Sequence, residues 1–189
     1  MSLASSPPAG RLGQRALEIE AAVRRAAARF SEIPITETVA LRLLVLLGRE
    51  ISALLEQALR PHGLNETDFR SLMTLFSQPD GVAHPSELCA SVAQSAANMT
   101  RVADGLCERG LITRVASEQD RRRTILRITP AGEALVLELL PHTAAHTRAL
   151  FEPMPASARQ QLLEQLRALV AQLDHGGDAH FAGPDPGVR

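Results

Sequence analysis

Apolar residues along this chain fall mostly at helical spacing, and proline and glycine mark where one run gives way to the next. Residues 11–31 are rich in Ala, Glu and Arg, with Leu17, Ala21 and Ala28 at helical spacing. They predict a helix of modest amphipathicity, broken by Ile33-Pro34-Ile35. From Thr36, a candidate N-cap, apolar positions recur at Val39, Leu43, Leu46, Leu47, Ile51, Leu54, Leu55 and Ala58, a long helix that Pro61 and Gly63 end. So broad an apolar stripe needs a large partner surface.

Asn65 opens the next helix, with Asp68 three residues on as in a capping box and Phe69, Leu72, Met73 and Phe76 on the inner face. Residues 78–82 contain Pro-Asp-Gly and predict a turn. Pro85 at a first helical position starts a short helix with Leu88 and Val92 inward, and Ser95 then caps a helix that runs to Arg109 and stops at Gly110. Placing Met99, Val102, Ala103 and Leu106 on the core side turns Ala97, Asn98, Thr100, Arg101 and Asp104 outward. Residues 111–115 and 124–128 alternate as two antiparallel strands, and 117–123 between them concentrates three arginines beside two acids.

An outward Asn, Thr or Arg on an isolated helix is ordinarily just solvated. The order of elements changes that reading, because a helix pair followed by a basic hairpin is the outline of a winged helix-turn-helix, whose second helix lies in a major groove. Arg101 can bridge guanine O6 and N7, while Asn98 and Gln94 can read adenine N6 and N7. Thr100 can touch a thymine methyl or a phosphate, and Ser95 and Ala97 complete the surface at the helix N-terminus, where free N–H groups attract phosphate. At the hairpin tip Arg122 is expected at the DNA minor groove, with Asp120 orienting a neighbour and Arg121 or Arg123 on phosphate.

Thr129-Pro130 predicts another helix start, carrying Ala134, Leu135, Leu139 and Leu140 to an expected kink at Pro141 and on toward Phe151. After Pro153 and Pro155 a last helix shows Leu162, Leu163, Leu166, Leu169, Val170 and Leu173. Apolar stripes at both ends, wider than one small winged domain can cover, point to a twofold dimer that interleaves them. The expected organisation is a tail over 1–10, N-terminal dimerisation and pocket helices over 11–62, a winged DNA-binding domain over 63–129, C-terminal dimerisation helices over 130–174 and a Gly/Pro-rich tail over 175–189. The fold class is mainly α with a small β-hairpin wing, as an intertwined homodimer.

The chain has 189 residues, 45% hydrophobic, enough for one good core with a helical dimerisation layer. Net charge is -1, so any attraction to DNA must come from locally concentrated charge. Every basic residue is Arg, which coding bias in a GC-rich genome explains without invoking function. Trp and Tyr are absent, leaving no aromatic platform for single-stranded bases and favouring duplex. No run of about 20 apolar residues or secretion signal is present, so a cytoplasmic protein without membrane partners is expected. No phosphate-binding glycine loop, HExxH or nucleophile elbow supports an enzyme, and no cofactor is expected.

Ser86-Glu87-Leu88, Thr100-Arg101, Leu106, Arg109-Gly110-Leu111, Asp120-Arg121-Arg122 and Thr129-Pro130-Ala131-Gly132 together resemble the MarR family of winged-helix regulators. The segments GLNETDF, PSEL, NMTRVADGL and ERGLI resemble its EmrR (MprA)-like subgroup, which represses multidrug efflux operons. The resemblance covers residues 36–174. It implies a homodimeric repressor on a pseudopalindromic double-stranded operator, released by a small phenolic, aromatic or drug-like effector. It places the effector near the junction of the helix ending at Pro61 with the helix from Asn65, making His62, Phe69, Arg70 and Met73 candidates. Phe69 and Met73 have the simpler reading of core residues, and Arg70 that of a salt-bridge partner. Where the subgroup tends to carry a basic residue early in the recognition helix this chain has Ala96, so operator sequence does not carry across.

Other regulators are conceivable. One is a repressor of an aromatic-acid catabolic operon. A redox sensor would use Cys89 or Cys107 as a thiolate, but the C-terminal end of a helix and an apolar setting both disfavour that anion at Cys107. A metal sensor would use His142 and His146 with His175 or His180, yet no cysteine or carboxylate completes an evident tetrahedral set, and no metal is expected.

Overall fold

The computed structural model describes residues 10–116 and 124–180, with side chains through 174. Helices α1 (Arg11–Ala27) and α2 (Ile35–Leu59) come first, and a 3-10 turn, Arg60–His62, leads into α3 (Glu66–Ser77). Strand β1 (Val82–Ala83), α4 (Pro85–Ser91), α5 (Ala96–Glu108), β2 (Ile112–Ala116) and β3 (Thr124–Ile128) follow, then α6 (Pro130–Phe151) and α7 (Ala156–His180). The chain divides into two compact units, with the boundary after Val136 inside α6.

Local chemistry accounts for most helix ends. Asn65 and Asp68 form the expected capping box, with Asp68 N–H donating to Asn65 Oδ1 at 2.9 Å and Asn65 N–H to Asp68 Oδ2 at 3.1 Å. Gly63 and Gly110 take left-handed φ values of 63° and 69°, which only glycine adopts without penalty. Thr129 Oγ1 accepts from Gly132 N–H at 3.1 Å and starts α6 ahead of Pro130. At α2 the expectation is corrected: the helix begins at Ile35 after Pro34, so Thr36 lies inside the first turn rather than at the cap. Proline has already set the φ that a helix entry needs.

The first unit packs α2, α3, α4 and α5 with a three-stranded antiparallel sheet of order β1-β3-β2. Leu59, Leu72, Leu75, Leu88, Met99, Leu106, Ile112 and Leu126 are each at most 2% exposed. Each such side chain contributes roughly 1.5–3 kcal/mol by leaving water. The β1 strand pairs Val82 with Arg127 and Ala83 with Leu126 and was not anticipated, since two residues show no period. Gly132 is buried at the start of α6, where a Cβ would stand 2.2 Å from the Leu111 carbonyl oxygen.

In the second unit α6 continues through Pro141 as one helix, and Thr143 Oγ1 donates to the Leu139 and Leu140 carbonyls. The last helix extends to His180, past Gly176 and Gly177, where composition predicts a tail. Leu163, Leu169, Val170 and Leu173 on α7 are all exposed. Among the described residues no helix is long and apolar enough to cross a membrane.

Candidate nucleic-acid interface

The surface carrying the expected base-reading residues is built on α5. Ser95 caps it, its Oγ accepting from Asn98 N–H at 3.3 Å. Met99, Val102, Ala103 and Leu106 are buried beneath it, as the period requires, while Ala97, Thr100 and Arg101 are exposed. The turn before α5 holds Ala93 at φ 52°, a left-handed conformation that costs a non-glycine residue about 1–2 kcal/mol.

The polar side chains on this face are tied together. Asn98 Nδ2 donates to Gln94 Oε1, and Arg101 Nη2 donates to Asn98 Oδ1 at 2.8 Å. Three residues expected to read bases thus form one hydrogen-bonded chain, from half-buried Gln94 in the turn before α5 through half-buried Asn98 to exposed Arg101. Such a chain limits the rotamers each side chain explores, lowering the entropy that docking must remove. Thr100 Oγ1 donates to the Ala96 carbonyl at 3.0 Å, which leaves its oxygen lone pairs and methyl group as the outward contacts. The tip residues Asp120, Arg121, Arg122 and Arg123 lie outside the described residues.

Two further contacts brace the helix and were missed in the sequence. Asp104, counted there only as an outward residue, receives Arg114 of β2 at 2.6 Å, joining the recognition helix to the hairpin. Arg109 donates from Nη1 to the Gly63 carbonyl and from Nη2 to the His62 carbonyl, both at 2.7 Å. The alternation of 112–116 could have flagged Arg114 as outward, but nothing local names Asp104 as its partner.

The four candidate effector residues are close in sequence but differ in setting. Phe69 is buried, Met73 and His62 are half-buried, and Arg70 is exposed. Arg70 lies 3.6 Å from Glu66 on its own helix and donates to the Ser91 carbonyl at 3.3 Å. None of the four lines either of two cavities in this unit. One, about 210 Å³, lies under α5 and is bordered by Cys89, Thr100 and Arg114. The other, about 470 Å³, lies between α1 and α2.

Neither cysteine is in a disulfide. Burial pushes the Cys107 thiol above its ordinary range; Arg114 opposes the shift and Asp104 adds to it. A protonated, half-buried thiol is a poor peroxide sensor. His142 and His146 are exposed, and among the described residues no three His, Cys, Asp or Glu side chains are grouped to hold a metal.

Comparison with known proteins agrees with this geometry. A model of the MarR family matches residues 62–123, from the 3-10 turn through α5 and β2. The transcriptional repressor MprA of Escherichia coli (strain K12) is 34% identical over 158 residues, which is 82% of this chain and 89% of its own length. The crystal structure of AbsC, a MarR family transcriptional regulator from Streptomyces coelicolor, superposes with a TM-score of 0.67 at 25% identity, covering 75% of this chain and 95% of AbsC. The fold is also that of Bordetella bronchiseptica BpsR, with a TM-score of 0.61 at 24% identity over 69% of this chain and 98% of BpsR; DNA binding by BpsR is regulated by 6-hydroxynicotinic acid. These relatives are regulators, not enzymes. A capped recognition helix with an outward polar chain, a three-stranded wing sheet and a repressor relative along most of its length place this chain in the MarR family of winged-helix transcriptional regulators.

Proposed function

We propose that the protein is a homodimeric, cytoplasmic repressor that holds a pseudopalindromic operator and is released by a small phenolic, aromatic or drug-like molecule. On this reading it controls a multidrug efflux operon and its own gene. The observation that carries it is the Gln94–Asn98–Arg101 chain at the start of the capped helix α5, in a chain 34% identical to the repressor MprA. Dimerisation is supported by apolar faces that one chain leaves uncovered, Leu44, Leu47, Ile51 and Leu54 on α2 and Leu163, Leu169, Val170 and Leu173 on α7. Two recognition helices about 34 Å apart would read successive major grooves, and an effector that alters this spacing would release the DNA. The effector is assigned to the junction of α2 with α3, around His62, Phe69, Arg70 and Met73.

The test is a salt-controlled titration of the purified protein against its own upstream intergenic DNA and a scrambled duplex, with and without salicylate and an uncoupler. Preference for the intergenic DNA, lost with either compound, supports the reading. Preference that neither compound changes removes the ligand-release part, and no preference removes the operator. A second reading, repression of an aromatic-acid catabolic operon, is favoured by the aromatic acid that regulates BpsR. Genes of ring degradation rather than efflux next to the bound DNA would select it.

A further inference from the structure

The hydrogen-bonded side chains around the start of α5 have a direction, and the chemistry of arginine fixes it. Arginine carries only donors, so the Asn98 atom that faces Arg101 must be Oδ1. The Asn98 amide nitrogen then faces Gln94, and the atom that receives it must be Gln94 Oε1. Every bond in the chain therefore donates from Arg101 toward the helix start. That direction leaves N–H groups at both ends: neither Gln94 Nε2 nor the rest of the Arg101 guanidinium has a hydrogen-bond partner among the described residues. Asn98 is half-buried between them, with its oxygen and its nitrogen both engaged.

We infer that Asn98 reads no base and is a positioning residue, while Gln94 and Arg101 present donors alone to the major groove. Each operator half-site then carries guanine opposite Arg101 and a keto base, guanine or thymine, opposite Gln94. The inference deepens the operator reading above and rests on it. In the major groove guanine offers N7 and O6 as acceptors and thymine offers O4, whereas cytosine presents its N4 donor and adenine sets an N6 donor beside N7. The adenine contact expected from sequence for Asn98 and Gln94 needs one amide to give an N–H and an oxygen to the same base edge. In Asn98 those two atoms already serve two different neighbours, and in Gln94 the oxygen is held by Asn98. The Arg101 cation also polarises the amide it binds, which strengthens the next bond and holds Gln94 in its orientation. A single amide separates the two donor heads, so they reach adjacent or next-adjacent base pairs, spaced roughly 3.4 Å apart.

The test is selection of bound duplexes from a pool of random sequence by the full chain and its variants, each checked by thermal melt. The wild type should enrich a guanine whose preference Arg101→Ala removes and, at an adjacent or next-adjacent pair, a guanine or thymine whose preference Gln94→Ala removes. Asn98→Ala should lower discrimination at both by about fivefold or more while abolishing no adenine preference. Asn98→Asp separates the two ends. Its carboxylate still accepts from Arg101 and keeps the guanine, but it has no N–H for Gln94, whose amide must turn over and donate to it. Gln94 then shows an oxygen to the groove, and the preference at that one position should change from a keto base to adenine or cytosine. An adenine preference that Asn98→Ala abolishes, discrimination that it leaves unchanged, or a keto preference that survives Asn98→Asp would overturn the inference and leave the operator reading standing. Enrichment of no sequence by the wild type would remove the operator reading and this inference with it. Should the Asn98 variants melt early, the wild type alone decides. There 7-deazaguanine, which lacks the N7 acceptor, must weaken binding by about fivefold or more at the Arg101-dependent guanine, and 7-deazaadenine at neighbouring pairs must not. The opposite pattern would overturn the inference.

Discussion

Arg114 on β2 meets Asp104 on α5 at 2.6 Å, so the strand leading to the wing tip is pinned to the outward side of the recognition helix. Both side chains are nearly half exposed, and such a pair contributes only about 0.2–1 kcal/mol to stability. Its larger effect is geometric, because a hairpin free to swing would cost ordering entropy on docking. Asp104→Asn is therefore expected to leave the melting temperature almost unchanged while weakening operator binding several-fold. Circular dichroism melts run beside operator titrations would separate the two effects. A loss of fold with no loss of affinity per folded molecule would reject this role.

Arg101 and Arg122 are expected to divide the work. Arg101→Ala removes a bidentate base contact, lowering operator affinity by about 1–3 kcal/mol and relaxing preference at one base position. It also frees Asn98 Oδ1, so part of the loss is shared along the polar chain. Arg122→Ala should weaken operator and random duplex alike and reduce the salt slope by about 1. Titration of both variants at several salt concentrations checks this; indistinguishable profiles would count against the division.

Gly132→Ala is expected to destabilise the first unit strongly. The added Cβ would lie 2.2 Å from the Leu111 carbonyl oxygen and 2.9 Å from Ile128 Cγ1, so backbone must move. Overpacking of this kind costs about 1–3 kcal/mol, and shifting Leu111 also disturbs its carbonyl's bonds from Thr129. Urea unfolding of the variant should show a lower midpoint with little change in slope.

Cys107 gives a pH prediction with a definite sign. Its thiol pKa is raised in the folded protein, chiefly by burial, so above the unfolded value, about 8.5, the unfolded chain loses its proton first. Stability should fall as pH rises from there through the folded pKa, and Cys107→Ser should lessen that fall. Near neutral pH the thiol stays protonated, and peroxide should leave operator affinity unchanged. Denaturant midpoints across this range, and a peroxide-treated titration, test both halves.

Much of the architecture was legible because its signals are local. The Asn65–Asp68 box, the Ser95 cap, the stop at Gly110 and the start at Thr129-Pro130 each involve residues within one helical turn. The outward face of α5 followed from the same period that buries Met99, Val102, Ala103 and Leu106. The α2 start was misplaced by the same kind of reasoning, since Pro34 supplies the entry geometry that Thr36 was expected to cap. Strand β1 was invisible, because its identity depends only on pairing with β3.

By itself, then, the amino-acid order determined which segments are helical, where α3 starts, where α5 stops and which residues of α5 face the core, since periodicity, caps and φ preferences act between neighbours. Tertiary structure alone decided that Asp104 meets Arg114, that Arg109 reaches the His62 and Gly63 carbonyls, and that Arg42 and Arg49 flank an apolar groove beside α1. It also decided why residue 132 must lack a side chain. The physical reason is the same in each case: these contacts join residues on different elements, and their distances are set by how the core packs rather than by any pattern along the chain.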